Sequence, residues 1–364
     1  MTTSDSGRAA YKPHVVLLVV VGVIAIAGAA AWAGWITGTF HKSIDHPRMA
    51  IVTWNQAPFW DPVEAGANDA AKTLGAELTF VRSEPTADAE AKHIRDLIGS
   101  GVQAIAIAPN NPSALQDVIN EAADKAVVIT VDSDAPATKR LGFVGTDNYA
   151  AGEMAGDEVR AAVPEGGQVI ISVGSVEMSN GRDRRQGLID NLLDRPARGS
   201  HTEDPIDQEA KGKQYDVVAT VTDGGDEKLA VRNVVDAIRA HPDVKCIVGL
   251  FGYSGPAIVK AIEQAQPKNK VKVIGFDESA EEQALVQSGA IYSSILQAQY
   301  RCGHSLVQVM SDLLNGEEAN GPAGPRLVEL PVLVMRPDNI QQLRDARVIR
   351  KVATATPTTA PAVN

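Results

Sequence analysis

Cysteine is nearly absent: two residues among 364, at positions 246 and 302. That count excludes a disulfide-framed secreted miniature. An exported chain could pair them, but each falls in a separate regular element, so two buried free thiols are expected. Basic residues are outnumbered, 34 against 45 acidic, for a net charge of -11. This balance disfavours nucleic acid and anionic membrane surfaces as partners. The seven histidines are scattered with no HxxxH or CxxC spacing, so neither a metal nor a cofactor is expected. A GxxxxGK phosphate loop is missing, and the glycines at 142–145, 166–167 and 224–225 are too isolated for a dinucleotide fingerprint. A Ser/His/Asp order is missing as well. What remains of enzyme chemistry is a possible carboxylate pair, Asp132 with Asp277, as in glycosidases; the chain is read as a non-enzyme.

Aromatic residues are scarce too, at 4%, yet Trp54, Phe59 and Trp60 fall within seven positions of one another in TWNQAPFW. This cluster leaves a predicted strand (49–54) and precedes a predicted helix (61–74). Junctions at the carboxyl ends of parallel strands are where open α/β sheets bind ligands. Flat apolar rings beside the amide of Asn55 suit a small polar molecule with an apolar face, such as a sugar. Trp54 itself is expected in the core.

The length of 364 residues suggests two domains. The first forty residues stand apart. Arg8 and Lys12 precede an uncharged apolar run, 15–36, long enough to cross a bilayer as a helix. A retained anchor and a cleaved signal, with small residues Ala29, Ala31 and Ala33 near a cleavage site, both remain open. Either places the chain from residue 41 onward outside the cytoplasmic membrane, in the periplasm or on the membrane's outer face. A linker spans 41–48.

From residue 49 onward strand and helix alternate. Strands are predicted at 49–54, 77–81, 103–108, 127–131 and 142–145, and again at 168–172, 216–221, 245–249, 271–275 and 291–295. Helices are predicted between them and at 147–162 and 298–314. The run 102–108 is almost wholly apolar, as a strand covered on both faces should be. Ten such units exceed one open sheet. Two doubly wound α/β lobes are therefore expected, with a single eight-unit barrel as the competitor. Segment 194–214 is predicted as a long surface loop. The Ala/Thr/Pro tail within 346–364 is predicted to be disordered.

Four polar residues share a position near a strand end. Asp132, Asp277 and Gln297 each close a strand and are placed just before a helix; Arg182 opens a helix after the strand at 168–172. An Asp there is often a helix N-cap, and Arg182 belongs to a charge run that would normally be solvated. Jointly, at one cleft, they would supply carboxylate acceptors and a planar donor fork for hydroxyl groups.

The ordered motifs TWNQAPFW, AIAIAPNNPSA, VITVDSDA, FVGTDN, GRDRRQGL, HPDVKCIVGLF, VIGFDES and SSILQAQ resemble the ribose-binding branch of the sugar-type periplasmic substrate-binding proteins. The resemblance spans residues 49–343. It implies two Rossmann-like lobes joined by a three-segment hinge, 49–146 plus 298–325 and 147–297 plus 326–345. These would close on a pentose, hexose or polyol and deliver it, as a monomer, to an ABC transporter permease. It implies ligand contacts from Asn55, Phe59, Trp60, Asp132, Arg182, Phe251, Asp277 and Gln297. The alternative is presentation of a sugar or an autoinducer-type furanose to a membrane sensor. Sugar-responsive repressors share the fold but begin with a helix-turn-helix, where this chain has the apolar segment. Three departures bear on the ligand. Ser133 replaces the family's Arg, Phe251 (with Tyr253 nearby) replaces an Asn, and Gly224-Gly225 stands where an aromatic is common.

Overall fold

The computed structural model describes residues 45–196, 202–316, 320–321 and 324–345. The apolar segment 15–36 and the tail after 345 lie outside the described residues, as does 197–201 within the predicted loop.

In chain order the elements begin with β1 (Arg48–Thr53), α1 (Trp60–Leu74), β2 (Glu77–Arg82), α2 (Ala87–Gly99), β3 (Ala104–Ile107), α3 (Pro112–Ala123), β4 (Val127–Val131) and β5 (Gly142–Thr146). They continue with α4 (Asn148–Ala162), β6 (Gly167–Val173), α5 (Ser179–Leu192), β7 (Ala210–Lys211), β8 (Tyr215–Thr222), α6 (Glu227–Ala240) and β9 (Val244–Gly249). Next come α7 (Ser254–Ala265), β10 (Lys272–Phe276), α8 (Ala280–Ser288), β11 (Ser293–Leu296) and α9 (Gln299–Leu314). The last are β12 (Asn320–Gly321), β13 (Gly324–Leu330), β14 (Leu333–Met335) and α10 (Ile340–Asp345).

The strands form two mainly parallel sheets, ordered β12-β13-β5-β4-β3-β1-β2 and β14-β11-β10-β9-β6-β8-β7. Among the described residues only the edge strands β7, β12 and β14 join their sheets by antiparallel pairing. Alternate residues of one strand feed opposite faces: Met49 and Ile51 enter one core cluster, Ala50 and Val52 another. That is the pattern of a strand covered on both sides. Five of the helices start where the sequence supplies a capping side chain. Thr86, Asn111, Asp147, Asp226 and Ser279 each accept a backbone N–H of the first turn with the side chain.

The chain passes between the sheets three times, after β5, after β11 and after β13. The third passage corrects the expected boundary: residues 326–330 pair in register with 142–146 in the first sheet, not the second. The short elements β7, β12, β14 and α10 carry too few residues for a periodic signal. The described residues of the predicted surface loop, 194–196 and 202–214, are mostly exposed but anchored: Asp204 is gripped by Gln186 and Arg195, Arg185 holds the carbonyls of Asp204 and Pro205, and 210–211 form β7. Both cysteines are buried and free, Cys246 in β9 and Cys302 in α9.

After each of the first two passages the chain packs a helix against the helix that succeeds the leading strand of its new sheet, α4 on α5 and α9 on α1. Glycine makes both crossings possible. A Cβ on Gly66 or Gly303 would overlap the backbone of Tyr300 or Val63, and one on Gly152 or Gly187 would overlap that of Arg184 or Tyr149. Gly303→Ala is expected to lower stability by about 1–3 kcal/mol. Gly99→Ala, at the open end of α2 with no atom within 4 Å of a new Cβ, should not; chemical denaturation of the two variants checks this.

Glu90 of α2 is a wholly buried carboxyl. One oxygen accepts the Asn110 N–H at 3.2 Å and the other has no hydrogen-bond partner among the described residues. Burial pushes its pKa up from 4.5 to about 8. The folded state therefore holds the proton more tightly, and stability is lost as pH rises from about 4.5 to about 8. Glu90→Gln should be close to wild type in stability near pH 4.5 and gain on it through that window, on the order of 4 kcal/mol by pH 8. Unfolding curves at both ends measure it.

Candidate functional site

The carboxyl ends of the two sheets face each other across a cavity of about 310 Å³. With the short edge strands β12 and β7 set aside, strands β4 and β10 hold the same place in their sheets, and each ends in an aspartate with left-handed backbone, Asp132 at φ 61° and Asp277 at φ 68°. Neither is a helix cap. Asp132 is succeeded by a loop to β5 rather than a helix, and the cap of α8 is Ser279. Both side chains are buried against the cavity wall. A non-glycine residue in this conformation costs of order 1 kcal/mol and persists only where its surroundings hold it.

Arg184 is what holds them. It is 1% exposed, lying 4.5 Å from the Phe276 ring centroid and 5.6 Å from that of Phe251. Its Nε donates to Asn148 Oδ1 (2.9 Å), Nη1 to the Leu250 carbonyl (2.9 Å) and Nη2 to Gln297 Oε1. Asp132 Oδ1 stands 3.7 Å from Nη2. Gln297 also accepts from Thr146 Oγ1 (3.3 Å) and donates to Asp277 Oδ1 (2.7 Å). Burial lowers the Arg184 pKa although Asp132 and Asp277 pull it back up. Burial raises Asp132 against the pull of Arg184 and Asn180, and raises Asp277 to about 6 against Arg184 and Gln297.

Seven of the eight expected residues line the cavity: Asn55, Phe59, Trp60, Asp132, Phe251, Asp277 and Gln297. Arg182 does not. It is partly exposed and pairs with Glu203 at 3.3 Å. Helical phasing explains the correction: Asn180, Arg184 and Leu188, spaced by four, form the buried face of α5, and 182 falls on the opposite side. Asn180 was also missed. Its Nδ2 donates to Asp132 Oδ2 at 2.8 Å from the other side of the cleft. The apolar Leu188 and small Gly181 on the same stripe were the signal that could have found both.

The aromatic wall differs from the expected platform. Phe59 and Trp60 stand perpendicular, centroids 4.7 Å apart, so they cannot both lay a face on one flat ligand. Trp60 is 1% exposed, and its indole N–H donates to Asn55 Oδ1, which also accepts the Ala57 N–H. Asn55 is thus partly a strut that shapes the loop. Trp54 is buried as expected, yet it reaches the cavity wall and meets Phe251 of the second half edge-on, centroids 6.5 Å apart. Further cross-cleft contacts join Ser133 to Ser179 (3.2 Å) and the Asp134 N–H to Ser179 Oγ (2.8 Å). The two halves therefore meet around the cavity.

The model of one protein family, the periplasmic binding protein domain, matches residues 49–318. The ribose import binding protein of Salmonella typhimurium is 25% identical over 283 residues, 77% of this chain and 89% of that protein. Among solved structures, a Burkholderia graminis ABC transporter solute-binding protein in complex with D-arabinose is similar at a TM-score of 0.72 and 26% identity. It aligns over 82% of this chain and 98% of its own. A glucose-galactose binding protein from Geobacillus stearothermophilus is similar at 0.71 and 25%, over 82% and 99%.

Arg184→Ala leaves Asp132 without its cation and should cost about 3–5 kcal/mol of stability. Arg182→Ala should leave stability unchanged within about 0.5 kcal/mol, as an exposed pair contributes little. Denaturation of the pair of variants reads the difference.

Proposed function

This chain belongs to the periplasmic binding protein family, whose members bind rather than transform their ligands, and we propose that it holds one neutral monosaccharide in the cavity between its sheets and hands it to an ABC transporter permease outside the cytoplasmic membrane. The observation that carries this reading is the pair of equivalent aspartates, Asp132 and Asp277, aimed from opposite halves at one cavity walled by aromatic rings. Each carboxylate can accept ligand hydroxyls, and a ring face beside them suits the C–H side of a sugar.

The charge of the wall narrows the class. Among the described residues five carboxylates line it, Asp132, Glu227, Asp277, Glu278 and Glu281, against one cation, Arg184. Arg184 directs its hydrogens at Asn148, Leu250 and Gln297. An anionic ligand would meet repulsion from a wall whose carboxylates outnumber its cation. A neutral polyol meets acceptors. The relatives that bind ribose, arabinose or glucose and galactose support the same class. The three chain passages serve as the hinge of two lobes. Asp132 and Asp277 keep acceptor capacity beyond their protein partners, and ligand hydroxyl groups that reach both halves tip the balance towards the closed form.

Calorimetry of the purified chain against neutral pentoses and hexoses should give saturable binding, with uronic acids and sugar phosphates silent. Absence of heat from every neutral sugar would overturn the reading. Asp277→Asn, which keeps the tolerated left-handed backbone but loses the charge, should weaken the best ligand about 10–100-fold, the worth of one charged hydrogen bond.

A further inference from the structure

Trp54 is carried by the first half of the molecule, directly after β1, but its ring is received by the second. Beyond the edge contact with Phe251, it lies against Gly225: a Cβ there would stand 3.3 Å from Cζ3 and 3.6 Å from Cη2 of the indole. Gly225 lies just after β8 with φ 89°. The receiving loop is fixed from its own side. Asp223 Oδ1 accepts the Gly225 N–H at 2.8 Å and the Tyr253 hydroxyl at 2.5 Å, and the Gly224 N–H donates to the Gly174 carbonyl at 2.8 Å. A Cβ at 225 would crowd the indole, which would have to give way by a few tenths of an ångström, and glycine leaves it room.

We infer that Trp54 is an interlobe latch, a positioning residue whose docking on Gly225 and Phe251 holds the two halves closed and so sets ligand affinity from the contact between the lobes. This rests on the reading that the halves open and close around a ligand. An edge-on aromatic contact adds to the apolar area it buries, and it forms only when the halves meet. Asp132–Asn180 and Ser133–Ser179 are its polar counterparts on another part of the cleft.

The test counts closed molecules without needing the ligand's identity. Ser133→Cys and Ser179→Cys replace two hydroxyls that lie 3.2 Å apart across the cleft, so the rate of disulfide trapping under mild oxidation in the full chain reports how often the halves meet. Gly225→Ala adds both a strained backbone and crowding of the Trp54 ring. Gly224→Ala, at φ 64° with no atom within 4 Å of a new Cβ, adds the strain alone. Trapping should slow about tenfold more with Gly225→Ala than with Gly224→Ala, and should also slow with Trp54→Leu. In the presence of Trp54→Leu the two alanine variants should become equal, since the crowding is gone. Equal rates for the two alanine variants beside an intact Trp54, no effect of Trp54→Leu, or no trapping in the cysteine pair at all would each overturn the latch. The ligand reading fails separately: if no neutral monosaccharide accelerates trapping, that reading falls while the latch stands on the variant series.

Discussion

A guanidinium held at 1% exposure must find acceptors inside the protein, and Arg184 finds them on separate pieces of chain. Asn148 lies at the first passage between the sheets, Leu250 at the end of β9 and Gln297 at the second passage. Asp132, from the opposite half, supplies the nearest negative charge. An unpaired buried charge is far costlier than a paired one, so these segments are bound to a common arrangement. The rings of Phe251 and Phe276 complete the enclosure. The geometry of both aspartates depends on this one cation, because Gln297 passes its influence on to Asp277. The close crossing of α4 on α5 aims it, as the glycine at 152 lets the Arg184 backbone approach.

The two halves solve the same problem with different residues. Each sheet puts an aspartate at the end of its fourth core strand, and each accepts a returning helix through a pair of glycines. The likeness stops at the aromatic wall. The first half brings Trp54, Phe59 and Trp60 on one loop, while the second brings Phe251 and Tyr253 from the end of β9. The cavity thus has two similar acidic poles and unlike apolar sides.

Most of the fold was legible because its signals are local. Apolar runs such as 104–107 and caps such as Thr86 and Ser279 fix strands and helix starts within a residue or two. What failed depended on direction or on distance. Arg182 and Arg184 are equivalent as members of a charge run, and only the helical phase set by Asn180 and Leu188 separates them. The pairing of 326–330 with β5 rests on a partner almost two hundred residues away. Trp54 reads as core because a buried ring gives no sign of which half receives it. The cavity's two aspartates were legible as residues, yet their left-handed backbone was not, since strand-end aspartates more often cap helices.

That backbone sets folding and binding against each other at two positions. Glycine would relax φ at 132 and 277 and would remove the carboxylates with it. At 277 selection for the ligand keeps aspartate, and at 132 the buried Arg184 cation keeps it as well. In a lineage released from that selection, stability would favour drift to glycine at 277 while the Arg184 cation still held aspartate at 132, and this unequal replacement would mark a descendant that has kept the architecture and given up its cargo.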